Sequence, residues 1–444
     1  MNHPYLPNTG ADRAAMMSRV GVASIDELFY DIPAEVRYPT LKLSAPVSEQ
    51  EILAELKAMS WRNASTERQA CFLGAGAYHH FIPSTVSAIT ARSEFYTAYT
   101  PYQPEISQGT LQAIFEYQSM VCQLYGMEVA NASHYDGATS VAEAAIMALN
   151  AVTNRRQILV SPGVHPEYRA TLRTYLQGVD VEIVGDENPT ALATDLIDRV
   201  SDETACLIVQ SPNFYGQIED VARLAEPVHS YGALLAVSAN PISLGLLTPP
   251  GDQGADIATG EGQPLGVSLS AGGPYLGIFT TRNRYVRKMA GRLVGQTVDS
   301  RDQRGFVLTL STREQHIRRE QATSNICSNE ALCALAAGVY LATMGRAGMR
   351  RVAELCYHKA HYAARLIGGL PGYEIITGRP FFNEFVARGP EAPERINRRL
   401  LEAGIIGGYD LGQVHSMLEG QMLFCATEMN TRDEIERLVR SLRG

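Results

Sequence analysis

The side chains best suited to chemistry are concentrated in one segment, Thr97 to Gly109, which reads TAYTPYQPEISQG. Tyrosine phenols, glutamine amides and a carboxylate stand there beside two prolines. Proline fixes its own φ, has no N–H to donate, and holds the preceding residue in an extended conformation. We therefore predict a stiff, extended loop that presents Tyr99, Tyr102 and Gln103 to a binding site. The alternative is an interface loop whose tyrosines are structural.

A second candidate is the segment from Asp136 to Ser140 (DGATS), a glycine turn that leads into a predicted helix. The first turn of a helix offers free backbone N–H groups and the positive end of the dipole, which suits a phosphate. Ser140 and Glu143 have the spacing of a capping box. Many helices begin in this way without binding an anion, so an ordinary helix start is the alternative.

Lysine chemistry is excluded from the middle of the chain. The four lysines are Lys42, Lys57, Lys288 and Lys359. No amine between Lys57 and Lys288 is therefore available to form a Schiff base with a carbonyl cofactor. Lys288 is predicted to open a helix after the last strand of this region, which makes it a poor substitute.

Other patterns do not indicate a metal or nucleotide site. The Gly74–Ala77 turn (GAGA) lacks the spacing of a dinucleotide loop. His358 and His361 are three residues apart on a predicted helix, without an evident carboxylate or cysteine partner. The seven cysteines are scattered and form no CxxC pair, which is typical of reduced thiols in the cytoplasm. We predict no metal site.

Composition narrows the class of protein further. The chain has 444 residues, 19% charged side chains and a net charge of −9, with no basic run. A nucleic-acid or membrane-surface binder needs a concentrated basic face, so neither partner is predicted. We expect no signal peptide at the start of this sequence and no membrane-spanning segment, because no apolar stretch approaches the roughly 20 residues that span a bilayer. A cytoplasmic enzyme or enzyme subunit is the expected class.

The elements that must position these residues alternate between short apolar runs and helical stretches. Residues 157–161, 181–184, 206–210 and 234–238 are the apolar runs. Stretches of about ten to fifteen residues separate them, which is typical of βαβ units around a parallel sheet buried on both faces. Residues 275–280 are predicted to add a further strand, for which an antiparallel direction is one of the two alternatives.

The change of hydrophobic pattern along the chain indicates three structural parts. We predict an N-terminal arm with short helices in residues 1–60, a large α/β domain in residues 61–311 and a small C-terminal α/β domain in residues 312–444. The last part begins with long helical stretches and then alternates strands and helices.

Long runs of the sequence resemble one enzyme family, the glycine cleavage system P-protein, or glycine dehydrogenase (decarboxylating). The runs are residues 5–33, residues 78–144 and residues 241–281, and the most specific of their motifs is TPYQPEISQG. The resemblance covers nearly the whole chain. It implies the aspartate-aminotransferase-like fold of pyridoxal-phosphate enzymes, fold type I, with a mostly parallel large-domain sheet and a small α/β C-terminal domain. In some members the protein is split into two chains, and this length matches one of them.

The resemblance also indicates which residue of this chain stands at the position of the cofactor lysine. Matching the Gly272–Pro274 turn to the glycine-rich turn of the family puts Gln263 where the cofactor lysine is expected. A glutamine amide cannot form a Schiff base, and the aspartate expected for the cofactor ring is missing near residues 237–240. The resemblance thus implies that pyridoxal phosphate is held by a sister subunit and is not covalently bound to this chain.

The remaining site residues are implied by the way two subunits of this fold share an active site. The loop is expected to reach the sister subunit's site, with three neighbouring side chains as further candidates: Tyr99, Thr100, Tyr102, Gln103 and Glu105, then Tyr78, His79 and His80. The helix start becomes a relic phosphate cup formed by Gly137, Thr139 and Ser140.

The implied reaction is the decarboxylation of glycine, with transfer of the aminomethyl group to the lipoyl arm of the H-protein. The implied partners are the cofactor-bearing subunit, in an α2β2 assembly, and the lipoylated H-protein. The isolated chain is expected to be inactive. Two alternatives stay open: a purely structural or regulatory subunit, and a self-sufficient pyridoxal-phosphate decarboxylase or lyase, against which the absent lysine counts.

Overall fold

A computed structural model of the protein describes residues 5, 7–322, 324–326 and 328–443. The chain divides into two units, Met1–Asn63 and Ala64–Gly444. The three domain limits expected from the sequence remain a prediction.

The N-terminal unit contains two α-helices, α1 (Gly10–Val20) and α2 (Glu49–Ser60). Each begins with a capping box: the Thr9 side chain is paired with Asp12 in α1, and Ser48 is paired with Glu51 in α2. Such a box satisfies N–H groups that a helix start leaves free. No residue described in this unit is buried, although it is rich in large apolar side chains. The unit therefore has local helical structure without a hydrophobic core of its own.

The second unit begins with a short strand and continues with ten further helices in the described part of the chain. The helices are α3 (Ser84–Thr90), α4 (Ser93–Tyr96), α5 (Pro104–Tyr125), α6 (Gly137–Ala151), α7 (Pro166–Leu176), α8 (Val221–Ser230), α9 (Gln315–Arg318), α10 (Ala331–Gly368), α11 (Pro393–Glu402) and α12 (Arg432–Arg443). The strands are β1 (Ala70–Cys71), β2 (Val129–Ala130), β3 (Gln157–Val160), β4 (Glu182–Val184), β5 (Thr204–Gln210), β6 (Leu234–Ser238), β7 (Ile257–Glu261), β8 (Gly277–Thr281), β9 (Leu293–Val298), β10 (Arg304–Thr309), β11 (Glu374–Ile375), β12 (Glu384–Arg388), β13 (Ile405–Ile406), β14 (Tyr409–Asp410) and β15 (Gln421–Cys425).

A seven-stranded sheet organises the larger part of this unit, in the order β2-β8-β7-β6-β5-β3-β4. The strands from β7 to β4 run parallel, whereas β8 is antiparallel to both of its neighbours. Alternate residues of β5 enter different cores: Cys206 and Ile208 face one side, and Leu207 and Val209 face the other. Burial of both faces explains the continuous apolar runs of these strands. The predicted fold class, including the antiparallel strand, is confirmed.

A smaller antiparallel sheet, in the order β11-β12-β15-β14, forms the C-terminal part. Helix α10 connects the two parts, because residues 334–356 contribute to the core of the large sheet and residues 360–367 to the C-terminal core. A non-helical residue, Gly345 with φ of 57° and ψ of −177°, interrupts it. By length and composition α10 could span a membrane, and 44% of its apolar 18-residue window is buried inside the protein.

Two local expectations need correction. The extended loop ends at Gln103, because Pro104 occupies the first turn of α5, where its missing N–H costs nothing. The segment from Pro104 to Gly109 is therefore helical, with a kink at Ser107. Lys288 lies in a turn after the one-turn helix Asn283–Tyr285 and opens no helix.

Candidate functional site

A cleft lies at the carboxyl ends of the central parallel strands, where ligands bind in open α/β sheets. It is lined by the last residues of these strands and by the segment that enters α7: Gln210, Ser238, Asn240, Glu261, His165 and Tyr168 are among the lining side chains. A wider cavity of about 330 Å³ adjoins it, and it shares Gly76, His165, Tyr168 and Glu261. The cleft is where a cofactor would lie in this type of fold.

The start of α6, the expected phosphate cup, is closed by carboxylates of the same chain. The Thr139 N–H donates to Asp136 Oδ1 at 2.7 Å, and the Gly137 N–H donates to Glu261 Oε2 at 3.0 Å. The Ser140 hydroxyl donates to the Asp136 carbonyl oxygen at 2.8 Å. The capping box is formed by Asp136 and Thr139. The predicted pairing of Ser140 with Glu143 is therefore wrong, because the helix begins four residues earlier than that spacing requires.

Glu261 occupies the position of an anion at this helix end. Its Oε1 atom accepts N–H bonds from Gln263 at 2.8 Å and from Leu276 at 3.1 Å, in addition to the Gly137 bond to Oε2. Burial raises the pKa of Glu261 to about 7, although the three N–H donors favour its ionised form. A second negative group would meet an acidic side chain and already paired donors here, so the cup does not suit a phosphate.

Gln263 is fixed in the interior by its own hydrogen bonds. Its side-chain oxygen accepts the Tyr78 N–H at 2.9 Å, while its amide nitrogen donates to the carbonyl oxygens of Tyr78 at 3.0 Å and Val267 at 2.8 Å. Both amide protons are thus used, and the residue is 1% exposed. The glutamine joins two backbone segments and has the role of a structural connector.

Two further predicted contributors also point into their own chain. The Tyr78 hydroxyl donates to Glu384 Oε2 at 2.8 Å, and the other oxygen of Glu384 accepts the Ala75 N–H at 2.7 Å. His80 Nδ1 lies 2.7 Å from Glu428 Oε2, and both side chains are buried. Their burial leaves Tyr78 and His80 unavailable to a neighbouring chain, whereas His79 is partly buried.

The side chains of the proline-rich loop, in contrast, are exposed to solvent. Tyr99 is 83% exposed and Tyr102 is 50% exposed, and Gln103 and Glu105 are exposed as well. Gln108 anchors the helix that follows: its amide nitrogen donates to the Phe306 carbonyl oxygen at 2.8 Å and its oxygen accepts the Phe306 N–H at 2.9 Å. The loop thus presents side chains outward from a fixed base.

Several residues of these two regions were not found by sequence reasoning. Glu261 lines the cleft, Glu384 bonds to Tyr78 and Ala75, and Arg292 contacts Tyr102. Glu261 carried a signal, because it is a charged residue at the end of an apolar strand (IATGE) two positions before Gln263. Glu384 and Arg292 gave no comparable signal, since their partners are distant in the sequence.

The residues around the cleft do not match the needs of pyridoxal phosphate, the cofactor that this fold commonly holds. The cup N–H groups are taken by carboxylates, and Gln263 stands at the expected lysine position. Asn240, which follows β6, uses its side-chain oxygen to accept the Ile242 N–H at 2.9 Å. A phosphate site, an amine and an acidic partner for the ring are thus all missing, and the cleft does not fit the cofactor.

The topology and the cleft define a class of protein, the fold type I family of pyridoxal-phosphate enzymes. A sphingosine-1-phosphate lyase from Burkholderia pseudomallei shares the fold, with a TM-score of 0.65 over 92% of this chain and 93% of that chain at 15% identity. A crystal structure of glycine decarboxylase (P-protein) of the glycine cleavage system, in inhibitor-bound form, matches with a TM-score of 0.90 and 44% identity over 99% of each chain.

The family is shown by the sequence comparisons. The family model of the glycine cleavage system P-protein matches residues 3–442. The protein is also 55% identical over 442 residues, 99% of each chain, to the probable glycine dehydrogenase (decarboxylating) subunit 1 of Thermomicrobium roseum. The chain belongs to the glycine cleavage system P-protein family, as the resemblance in the sequence predicted.

Proposed function

We propose that this chain is the lysine-free subunit of a two-chain glycine-cleaving enzyme of the cytoplasm. A sister subunit holds pyridoxal phosphate, and the two chains together decarboxylate glycine and pass the aminomethyl group to the lipoyl arm of the H-protein. The name of the relative from Thermomicrobium roseum, a subunit 1, supports a partner chain. We further propose an α2β2 assembly.

One observation carries this proposal: the amide of Gln263 is fully hydrogen-bonded at the position expected for the cofactor lysine. Glu261, two residues earlier, takes the N–H group that a phosphate would need. Because these contacts are internal and buried, the cleft contributes to the stability of the subunit and not to the reaction. The chemistry must then occur at a site that this chain helps to enclose.

The exposed loop supplies the contribution of this chain to that site. The Tyr99 and Tyr102 phenols and the Gln103 amide can hydrogen-bond an anionic group, such as the carboxylate of glycine or a phosphate. The extended backbone set by Pro101 and Pro104 limits how far these groups can move, which favours orientation of a bound substrate. We assign Thr100 and Glu105 to the same surface, as neighbours that shape the loop.

Purification of the two chains separately tests the proposal. The chain alone is expected to bind no pyridoxal phosphate, to show no cofactor absorption band after incubation with it, and to release no carbon dioxide from carboxyl-labelled glycine. Addition of the sister chain and lipoylated H-protein is expected to give activity. A cofactor band on the isolated chain that borohydride fixes covalently, or turnover by this chain alone, would contradict the proposal.

A further inference from the structure

One tyrosine of the exposed loop is held by a side chain from a distant part of the sequence. The Tyr102 hydroxyl accepts a hydrogen bond from Arg292 Nη2 at 3.2 Å. The Arg292 guanidinium carbon also lies 5.5 Å from the centre of the Tyr102 ring, within range of a cation–π contact. The His316 ring packs beside the same phenol, with ring centres 5.7 Å apart. Tyr102 is therefore fixed on one side and half-exposed on the other.

Arg292 itself is buried and is held by two further side chains. It is 5% exposed, its Nη1 atom donates to Asn329 Oδ1 at 3.3 Å, and its Nε atom lies 3.8 Å from Glu314 Oε2. Asn329 is held in turn by the bond from its amide nitrogen to the Ala132 carbonyl oxygen at 3.1 Å. A buried charge is costly unless it is paired, and Glu314, which is also 5% exposed, supplies the counter-charge.

The direction of the hydrogen bond matters for the chemistry of the phenol. Arginine can only donate, so the Tyr102 oxygen must be the acceptor of the bond from Arg292. The phenol proton is then free to be donated to another group. A phenol held in this way is a directed donor, and its natural ligand is an anion such as a carboxylate or a phosphate.

We propose that Arg292 is a positioning residue that orients Tyr102 toward an anionic group in the active site of the sister subunit, with Glu314 and Asn329 holding Arg292 in place. This inference rests on the proposed function, since it needs the loop to reach that site. Arg292 itself touches neither substrate nor cofactor. Its effect on the reaction passes through the orientation of one hydroxyl.

A double-mutant cycle in the reconstituted complex tests this role. Tyr102→Phe removes the hydroxyl, and Arg292→Gln removes its donor. Each is expected to lower kcat/KM for glycine by roughly tenfold to a hundredfold, because misplacement of a substrate-orienting group costs factors of this size. The two variants should divide this loss between kcat and KM in the same way as each other. The double variant should be no worse than the poorer single variant, because Arg292 acts only through the hydroxyl.

Two further variants separate positioning from general destabilisation. Arg292→Lys keeps the charge but not the fork of donors, so it should recover part of the activity lost in Arg292→Gln. Arg398→Gln, which removes an exposed arginine on α11, is the matched control and should keep wild-type rates. If Arg292→Gln does not fold or pair with the sister chain, Glu314→Gln replaces it and is expected to change kcat and KM in the same proportion as Tyr102→Phe, with a smaller loss.

The outcomes distinguish this inference from the function on which it rests. Impairment by Tyr102→Phe but wild-type kinetics in Arg292→Gln, or in Glu314→Gln where that variant replaces it, would overturn the inference alone. A double variant whose fold-loss in kcat/KM equals the product of the two single fold-losses would also overturn it, because Arg292 would then act independently of the hydroxyl. Wild-type kinetics in Tyr102→Phe would contradict the inference together with the proposed reach of Tyr102 into the sister site.

Discussion

The cleft and the exposed loop of this chain use the same kinds of groups in opposite ways. Glu261 lines the cleft, and Gln263 and Glu384 contact Tyr78, another lining residue. All three direct their polar atoms to backbone N–H and C=O groups or to a tyrosine of the same chain. In the loop, Tyr99 and Gln103 direct theirs outward. The comparison indicates that the polar groups around the cleft stabilise the fold, whereas those of the loop remain open to solvent.

The largest effect on stability should follow from truncation of the Glu261 side chain. Glu261→Ala would leave the N–H groups of Gly137, Gln263 and Leu276 without their acceptor. Because each unsatisfied buried donor costs about 1–3 kcal/mol, we expect the free energy of unfolding to fall by about 3–5 kcal/mol. Urea denaturation of the isolated chain measures it. Glu261→Gln, which keeps an acceptor, is the control and should lose much less, and an equal loss in both would refute the account.

Restoring the amine alone should not restore a cofactor site. In Gln263→Lys the new ammonium can donate to the carbonyl oxygens of Tyr78 and Val267, but the Tyr78 N–H loses its acceptor. We expect a loss of about 2–3 kcal/mol in unfolding free energy and no covalent pyridoxal phosphate after borohydride treatment. Stable covalent labelling of this single variant would show that the cleft still accommodates the phosphate.

Stability should also respond to pH through the buried carboxyl groups. Burial raises the pKa of Glu261 and of Glu384 to about 7. A raised pKa means that the folded chain keeps protons which the unfolded chain releases above about pH 4.3. The free energy of unfolding should therefore fall, by about 1–3 kcal/mol, as the pH rises from about 5 to about 7.5, and level off above this. Glu384→Gln should flatten the curve, and an unchanged slope in that variant would count against the assignment.

The loop should show the reverse pattern, with a loss of activity and little change in stability. Tyr99→Phe and Gln103→Ala alter exposed side chains, so each should change the free energy of unfolding by less than about 0.5 kcal/mol. In the complex with the sister chain, each should lower glycine decarboxylation by about tenfold without dissociating the subunits. Wild-type rates in both variants would remove the loop from the active site and favour a purely structural subunit.

Much of the fold could be predicted because its signals are local. The apolar runs at residues 157–161 and 234–238 correspond to β3 and β6, since a strand buried on both faces needs an unbroken apolar sequence. The start of α5 was misplaced for the opposite reason. The sequence predicts an extended loop through Pro104, whereas proline also suits the first turn of a helix. The helix is held by contacts of Gln108 with Phe306, which is distant in the sequence.

The sequence alone determined which chemistry this chain lacks, because a missing residue type needs no structure to be recognised. Without a lysine between Lys57 and Lys288, and with Gln263 at the expected position, no tethered cofactor could be predicted there. The tertiary structure decided which side chains contact the cleft and the loop. Glu261 is 124 residues from Gly137, and Arg292 is 190 residues from Tyr102. Contacts over such separations are set by how the sheet and helices pack, and no local pattern encodes them.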